Sequence, residues 1–382
     1  RAVIVRIDDI LIIAVFLMWL VRNAVHKEVQ LFVNTPLNRP MLFYTVICII
    51  SSALGIIRGD IDPRITFFYV MKYIEYLLLF FLVVNVVESE SQLKTMLIIF
   101  FTTACIVVLY SYYLIGQGVR PYAPFDIERG VTETATLGGY FLLVLGLTLG
   151  MLAYEKQKKL LLFFTSLFFL ILPPLIQTQS RASYFGFAGL VITFLILAKK
   201  RKVTFLFSII GGLLFLNALF PSYRDILFKR MKYTVEGNFQ VTTYVGKFNL
   251  RLEESAAARV NFWNRIFEEF LPKHPLLGKG VSRLPVEGQI PLVIGETGVL
   301  GLVAFFWMLI VIWKETKKLY ITGRNEFEYS ISLGFLIAFV AIFCHSLTVN
   351  TFIIIRIMEP FWLLTGIIMV ARKIQMSQGV TK

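Results

Sequence analysis

Apolar residues fall in long runs separated by short polar stretches, and most of these runs exceed what a buried helix of a soluble domain needs. A helix that spans a bilayer requires about 20 mostly apolar residues. Eleven runs approach that length: Ile10–Val21, which is short, then Met41–Ile57, Ile65–Val87, Leu97–Ile115, Thr136–Tyr154, Leu160–Ile176, Tyr184–Ala198, Val203–Phe220, Pro291–Trp313, Ser330–Thr348 and Phe352–Ala371. The pattern predicts an all-α, polytopic transmembrane helical bundle. One connection is long, from Pro221 to about Glu287. The chain therefore divides into eight N-terminal spans (1–220), a partly helical loop (221–290) and three C-terminal spans (291–382). In the loop, Ser255 is placed to cap a helix that runs to about Leu271 and ends at Pro272. Arg259, Trp263 and Phe267 would share one face of it. Gly237–Leu252 alternates weakly, as a short hairpin does. The chain begins at Arg1, so further N-terminal helices are expected before it.

Composition sharpens this reading. With 57% hydrophobic and only 16% charged residues, the chain is neither a soluble enzyme nor disordered. Its 38 Lys+Arg against 24 Asp+Glu give +14. In a membrane protein that excess reads as cytoplasmic anchoring rather than nucleic-acid binding. Basic clusters stand at 155–159, 199–202, 314–318 and 372–373, and alternating helices place all four in the cytoplasm. The same alternation puts the 58–64, 116–135, 177–183, 221–287 and 349–351 loops outside. The long loop holds 11 Lys+Arg and 6 Asp+Glu between Pro221 and Val286. Loops beyond about 60 residues escape the positive-inside rule, so this excess fits either a grip on anionic headgroups or an anionic substrate. Cys48, Cys105 and Cys344 all lie in apolar runs and suggest packing, not a disulfide framework or a zinc site.

Ionisable residues inside spans are costly and mark function by default. Lys72, Glu75, Glu296, His345, Arg356 and Glu359 all fall in the half of their spans expected to face outward. A polar cavity open to that side would explain the clustering. Lys72/Glu75 and Arg356/Glu359 are also spaced i,i+3, so each could be a local ion pair that only fixes packing, and His345 could be an interhelical hydrogen-bonding residue. A transporter would need polar steps across the whole membrane or an inverted repeat. Neither is apparent. A non-catalytic membrane scaffold is a further alternative.

Gln177-Thr-Gln-Ser-Arg-Ala-Ser-Tyr-Phe-Gly186 opens the seventh span. A helix N-terminus beside the Arg181 guanidinium makes an anion site, although an arginine here could also snorkel to headgroups. Asp60-Ile-Asp62 is an Asp-x-Asp of the kind that holds a divalent ion, but Gly59 and Pro63 flank it and favour a turn.

Ser180-Arg181-Ala182-Ser183, Ala258-Arg259 with Trp263, His274-Pro-Leu-Leu-Gly-Lys-Gly280 and Glu296-Thr-Gly-Val-Leu-Gly-Leu302 follow one another around the long loop. Together they resemble the O-antigen ligase and polymerase superfamily of membrane glycosyltransferases. Glu133-Thr-Ala-Thr-Leu-Gly-Gly139 and Arg356-Ile-Met-Glu-Pro-Phe-Trp362 look like further family segments. The resemblance implies a glycan donor on undecaprenyl pyrophosphate, in the outer leaflet of the bacterial inner membrane. It implies that Arg181 and Arg259 contact the pyrophosphate, with Arg356 as a third candidate. The ligase branch usually carries His-Asn nine residues before the Glu of Glu-Thr-Gly, and here Glu287-Gly288 fills that slot. This departure favours a repeat-unit polymerase over a ligase.

A lipid pyrophosphate leaving group is best stabilised by fixed cations, and arginine binds phosphate bidentately. The acceptor hydroxyl needs at most a weak base. Glu287 is the first candidate, with Glu296 and His345 next, and in-line attack would invert the anomeric centre. Lys72, Glu75, Glu133, Arg283 and Glu359 are assigned to the substrate pocket. No metal or cofactor is expected, because the arginines can neutralise the leaving group. The partners expected are the lipid-linked oligosaccharide donor, a glycan acceptor, membrane lipids, a chain-length regulator and a flippase.

Overall fold

A computed structural model describes residues 7–26, 33–124, 133–202, 211, 240–245, 248–282 and 284–380. The described chain is helical apart from one hairpin. The helices are α1 (Ile7–His26), α2 (Asn38–Ile57), α3 (Pro63–Val86), α4 (Glu90–Gly116), α5 (Thr134–Tyr154), α6 (Lys158–Gln177), α7 (Arg181–Leu197), α8 (Glu254–Arg265), α9 (Gln289–Ile321), α10 (Glu326–Ser346) and α11 (Ile355–Val380). Among the described residues, seven helices are long and apolar enough to cross a bilayer: α2 to α6, α9 and α10. The chain is a multi-pass membrane protein. Most of the eighth apolar run, 203–220, lies outside the described residues.

Local chemistry sets several helix starts. Asp62 caps α3, accepting hydrogen bonds from the Arg64 and Ile65 amides, and Pro63 follows at the first helical position. Ser180 caps α7 through the Ser183 amide. Asn325 accepts from the Glu328 amide at 2.8 Å, and the Glu328 carboxylate accepts from the Arg324 amide at 2.9 Å. This reciprocal arrangement starts α10.

Several boundaries differ from expectation. α9 continues to Ile321 and α11 to Val380, through the basic clusters that end the apolar runs. Long lysine and arginine stems allow a helix to continue past the apolar core while the charges reach water. α11 is preceded by a 3-10 turn at Thr351–Ile353. In the loop, α8 begins at Glu254, so Ser255 lies inside the helix and does not cap it. A π-helical turn, Ile266–Phe270, and a last turn, Leu271–Lys273, follow, so Pro272 sits within the final turn. Gln240–Val245 and Phe248–Glu253 pair antiparallel, with Val245 opposite Phe248, giving the hairpin.

The chain folds into two compact units interleaved along the sequence. Unit one comprises Arg1–Thr95, Arg265–Lys318 and Phe352–Lys382. There α3 and α11 run parallel: the Tyr76 hydroxyl donates to the Ile353 carbonyl at 3.3 Å, Phe80 meets Trp362, and Gly366 lies against Val83. Unit two comprises Met96–Asn264 and Leu319–Thr351. Its centre is α5, buried along almost its whole length. α10 packs antiparallel on α5 where Gly146 faces Ala338 and Gly150 faces Gly334. Gly186 and Gly189 of α7 approach α10 in the same way. Such small residues let helix backbones come close in a membrane, where packing replaces the hydrophobic drive. The relative directions of these pairs are those that alternating spans demand.

Candidate functional site

In unit two, the elbow between α6 and α7 is held from several sides. Gln179 takes a left-handed conformation (φ 49°), and extended Ser180 then leads into α7. Arg120 Nε donates to the Thr178 carbonyl at 2.6 Å, and the Tyr184 hydroxyl donates to the Ile176 carbonyl at 2.6 Å. Thr178, Ser180 and Ser183 are buried. Arg181 is the first residue of α7 and is half-buried, beside backbone amides that the helix itself does not use. A guanidinium next to a helix N-terminus is suited to a phosphate. Arg259 belongs to the same unit, half-buried in the middle of α8.

Two other expected residues of this unit have packing partners. Glu133 stands at the N-cap of α5 and accepts a hydrogen bond from the Thr136 hydroxyl at 3.1 Å. His345 is fully buried, with Nδ1 2.8 Å from the Thr351 hydroxyl. A Cβ on Gly186 would lie 3.4 Å from His345 Cβ, so the histidine sits against α7.

In unit one, two of the motifs interlock through their backbones. α9 is interrupted at Gly298, whose φ of 67° and ψ of −165° suit only glycine. The 274–280 segment lies along this break. The Lys279 amide donates to the Gly295 carbonyl and the Gly280 amide to the Glu296 carbonyl, both at 2.9 Å. In return the Val299 amide donates to Pro275 and the Leu300 amide to Leu276. A Cβ at Gly298 would come within 2.4 Å of the Leu276 backbone, and one at Gly278 within 2.6 Å of Glu296. The Ser51 hydroxyl faces the Leu277 carbonyl and donates to the Glu296 carbonyl at 2.7 Å. Ser52 accepts from the Val281 amide.

The Glu296 side chain, 3% exposed, accepts from the Ser282 and Leu284 amides at 3.1 and 3.4 Å. It anchors the turn that leads to Glu287, which is itself exposed. Arg283 lies outside the described residues. Arg58 clamps the opposite side of the segment. It donates to the Gly278 carbonyl at 2.9 Å, meets His274 Nδ1 at 3.1 Å and pairs with Asp60 at 2.9 Å. Asp60 therefore serves Arg58, and Asp62 caps α3. Among the described residues, no group of three or more His, Cys, Asp or Glu could hold a metal ion.

Lys72 and Glu75 form an ion pair at 2.7 Å. Arg356 and Glu359 are half-buried in the first two turns of α11. Because α3 and α11 run parallel with Tyr76 beside Ile353, the four charges lie at one level of the helix pair. Arg58, Arg120, Ser51 and Gln289 were not singled out from the sequence. Gln289 is buried and accepts from the Phe352 amide at 2.9 Å. Two signals were present: a Ser-Ser pair inside an apolar run, and arginines in two short loops beside helix ends.

A protein-family model described as O-antigen ligase matches residues 166–295. The match runs from within α6 into α9 and takes in Arg181, Arg259, the 274–280 segment and Glu287. No curated protein matches the chain. The central third of this multi-pass membrane protein, residues 166–295, thus matches an O-antigen ligase family domain, which supports an enzyme of the membrane-glycosyltransferase type.

Proposed function

We propose that the protein transfers an oligosaccharide from undecaprenyl pyrophosphate to a glycan acceptor on the extracytoplasmic side of the bacterial inner membrane, acting as a repeat-unit polymerase. The observation that carries this reading is the family match over the segment that contains both Arg181 and Arg259. The acceptor hydroxyl attacks the anomeric carbon, and the bond from that carbon to the pyrophosphate oxygen breaks. The lipid pyrophosphate leaves with the bonding electrons, and the hydroxyl proton passes to a base. Arg181 and Arg259, with Arg356 as a third candidate, take up the charge that develops on the leaving group. Glu287 is the preferred base because it is exposed, whereas Glu296 and His345 are buried and hydrogen-bonded within the fold. Lys72, Glu75, Glu133, Arg283 and Glu359 remain candidates for shaping the substrate pocket. A chain-length regulator and a flippase would act alongside it.

The alternative within the same chemistry is a ligase that hands the glycan to a lipid or protein. The two separate in one assay of the purified protein with lipid-linked glycan. A polymerase yields a ladder of products spaced by one repeat unit. A single addition to a non-glycan acceptor would assign a ligase, and no transfer to any acceptor would refute the enzyme reading.

A further inference from the structure

The end of unit two opposite the α7 N-terminus carries a second concentration of charge, with no part in the proposed chemistry. Three tyrosines from three helices form its floor. Tyr154 stacks on Tyr329 with ring centroids 5.2 Å apart, and Tyr320 stands edge-on to both. The Tyr154 and Tyr320 hydroxyls are 2.9 Å apart, and Tyr320 donates to the Leu197 carbonyl at 2.9 Å. The turn after α7 folds back over this floor. Arg201, in a left-handed conformation (φ 58°), donates to the Leu152 carbonyl at 2.6 Å, and Lys202 donates to the Ile196 carbonyl at 3.2 Å. Lys156 pairs with Glu326. Lys199 and Lys200 are placed differently. Lys199 Nζ lies 5.5 Å from the Tyr320 ring centre and Lys200 Nζ 5.5 Å from that of Tyr154. A ring face positions an ammonium without neutralising it. Among the described residues no carboxylate pairs with either lysine, and both are exposed.

The helix that ends two residues before this pair, α7, carries an exposed apolar face. Phe185, Ile192 and Ile196 are 48%, 57% and 69% exposed and share one face of α7. From Phe185 to Ile196 the helix rises about 16 Å, close to one leaflet of a roughly 30 Å hydrocarbon core. A soluble phosphate would use the cations and leave this face idle. A neutral lipid would do the reverse.

We propose that Lys199 and Lys200 hold the phosphate of an anionic phospholipid whose acyl chain lies along Phe185, Ile192 and Ile196. This site is independent of the proposed activity. The test uses the purified full chain, titrated with phosphatidylglycerol and separately with phosphatidylethanolamine, with bound lipid counted by native mass spectrometry. Phosphatidylglycerol should be retained in preference. Its occupancy should fall about tenfold in the Lys199→Gln/Lys200→Gln double variant, given that each basic residue contributes modestly at an anionic surface. Lys199→Arg/Lys200→Arg should keep it, since arginine also rests on an aromatic ring. Equal phosphatidylglycerol binding by parent and glutamine variant overturns the proposal. So does displacement of the lipid by glycerol phosphate at matching concentration, which would mean a free phosphate is the ligand. Should the glutamine variant unfold, retention by the parent decides: it must weaken with rising salt, and retention indifferent to salt contradicts a phosphate contact.

Discussion

The α6–α7 elbow and the interlock around Gly298 both carry motif residues, yet they are built in opposite ways. At the interlock the motif residues spend their backbones on each other: 275–280 and 295–300 exchange four amide-to-carbonyl hydrogen bonds, and glycines stand where any Cβ would collide. Even the Glu296 carboxylate is turned onto backbone amides. At the elbow, side chains do the holding. Arg120 and Tyr184 tie down the carbonyls of Thr178 and Ile176, and Arg181 stands at the helix start. A motif can thus mark architecture or chemistry, and the direction of its hydrogen bonds distinguishes the two. The Gly278–Gly298 interlock is scaffold, and on the proposed function Glu287 and Arg181 are the groups presented to a ligand.

This contrast can be broken by substitution. A large effect on rate is expected at Glu287, where Gln keeps the shape and removes the basicity. Transfer should fall by about 10²–10⁴-fold with donor binding little changed. A parent rate in Glu287→Gln, with loss in Glu296→Gln, would move the base into the interlock and erase the distinction. Gly298→Ala should act on stability instead. It forces a side chain into a backbone region open only to glycine and against the Leu276 carbonyl, at a cost on the order of 3 kcal/mol. A thermal midpoint in detergent unchanged from the parent would show that the interlock does not hold the fold. Ser51→Ala removes one buried hydrogen bond to the Glu296 carbonyl and should cost about 1 kcal/mol. That is measurable as a small shift of the same midpoint, and a shift as large as that of Gly298→Ala would mean that Ser51 carries more than this bond.

The helices were legible because apolar runs such as Thr136–Tyr154 and Ser330–Thr348 leave no alternative in a bilayer, whereas α3 and α7 start two and three residues earlier than their apolar runs because Asp62 and Ser180 cap them. The i,i+3 spacing foretold the Lys72–Glu75 pair, and the Gly59 and Pro63 flanks foretold the turn at Asp60 and Asp62. The extension of α9 past Trp313 was hidden, because a lysine-rich stretch reads equally as a loop or as a helix end in the headgroups. The interlock was hidden for another reason. Its bonds join backbones about 20 residues apart, and a glycine in the sequence does not reveal which carbonyl it must clear. Arg58 and Arg120 were missed because their partners are main-chain carbonyls, which carry no mark in a sequence.

The most direct test measures transfer from purified lipid-linked glycan by Arg181→Ala, in protein whose thermal midpoint matches the parent. Losing a charge-assisted contact to phosphate removes about 1.5–3 kcal/mol of binding, and more when the contact tightens in the transition state. The account predicts that product falls to background in this folded variant and returns only in part with Arg181→Lys, which cannot bind phosphate bidentately. Parent-level transfer by Arg181→Ala would contradict it.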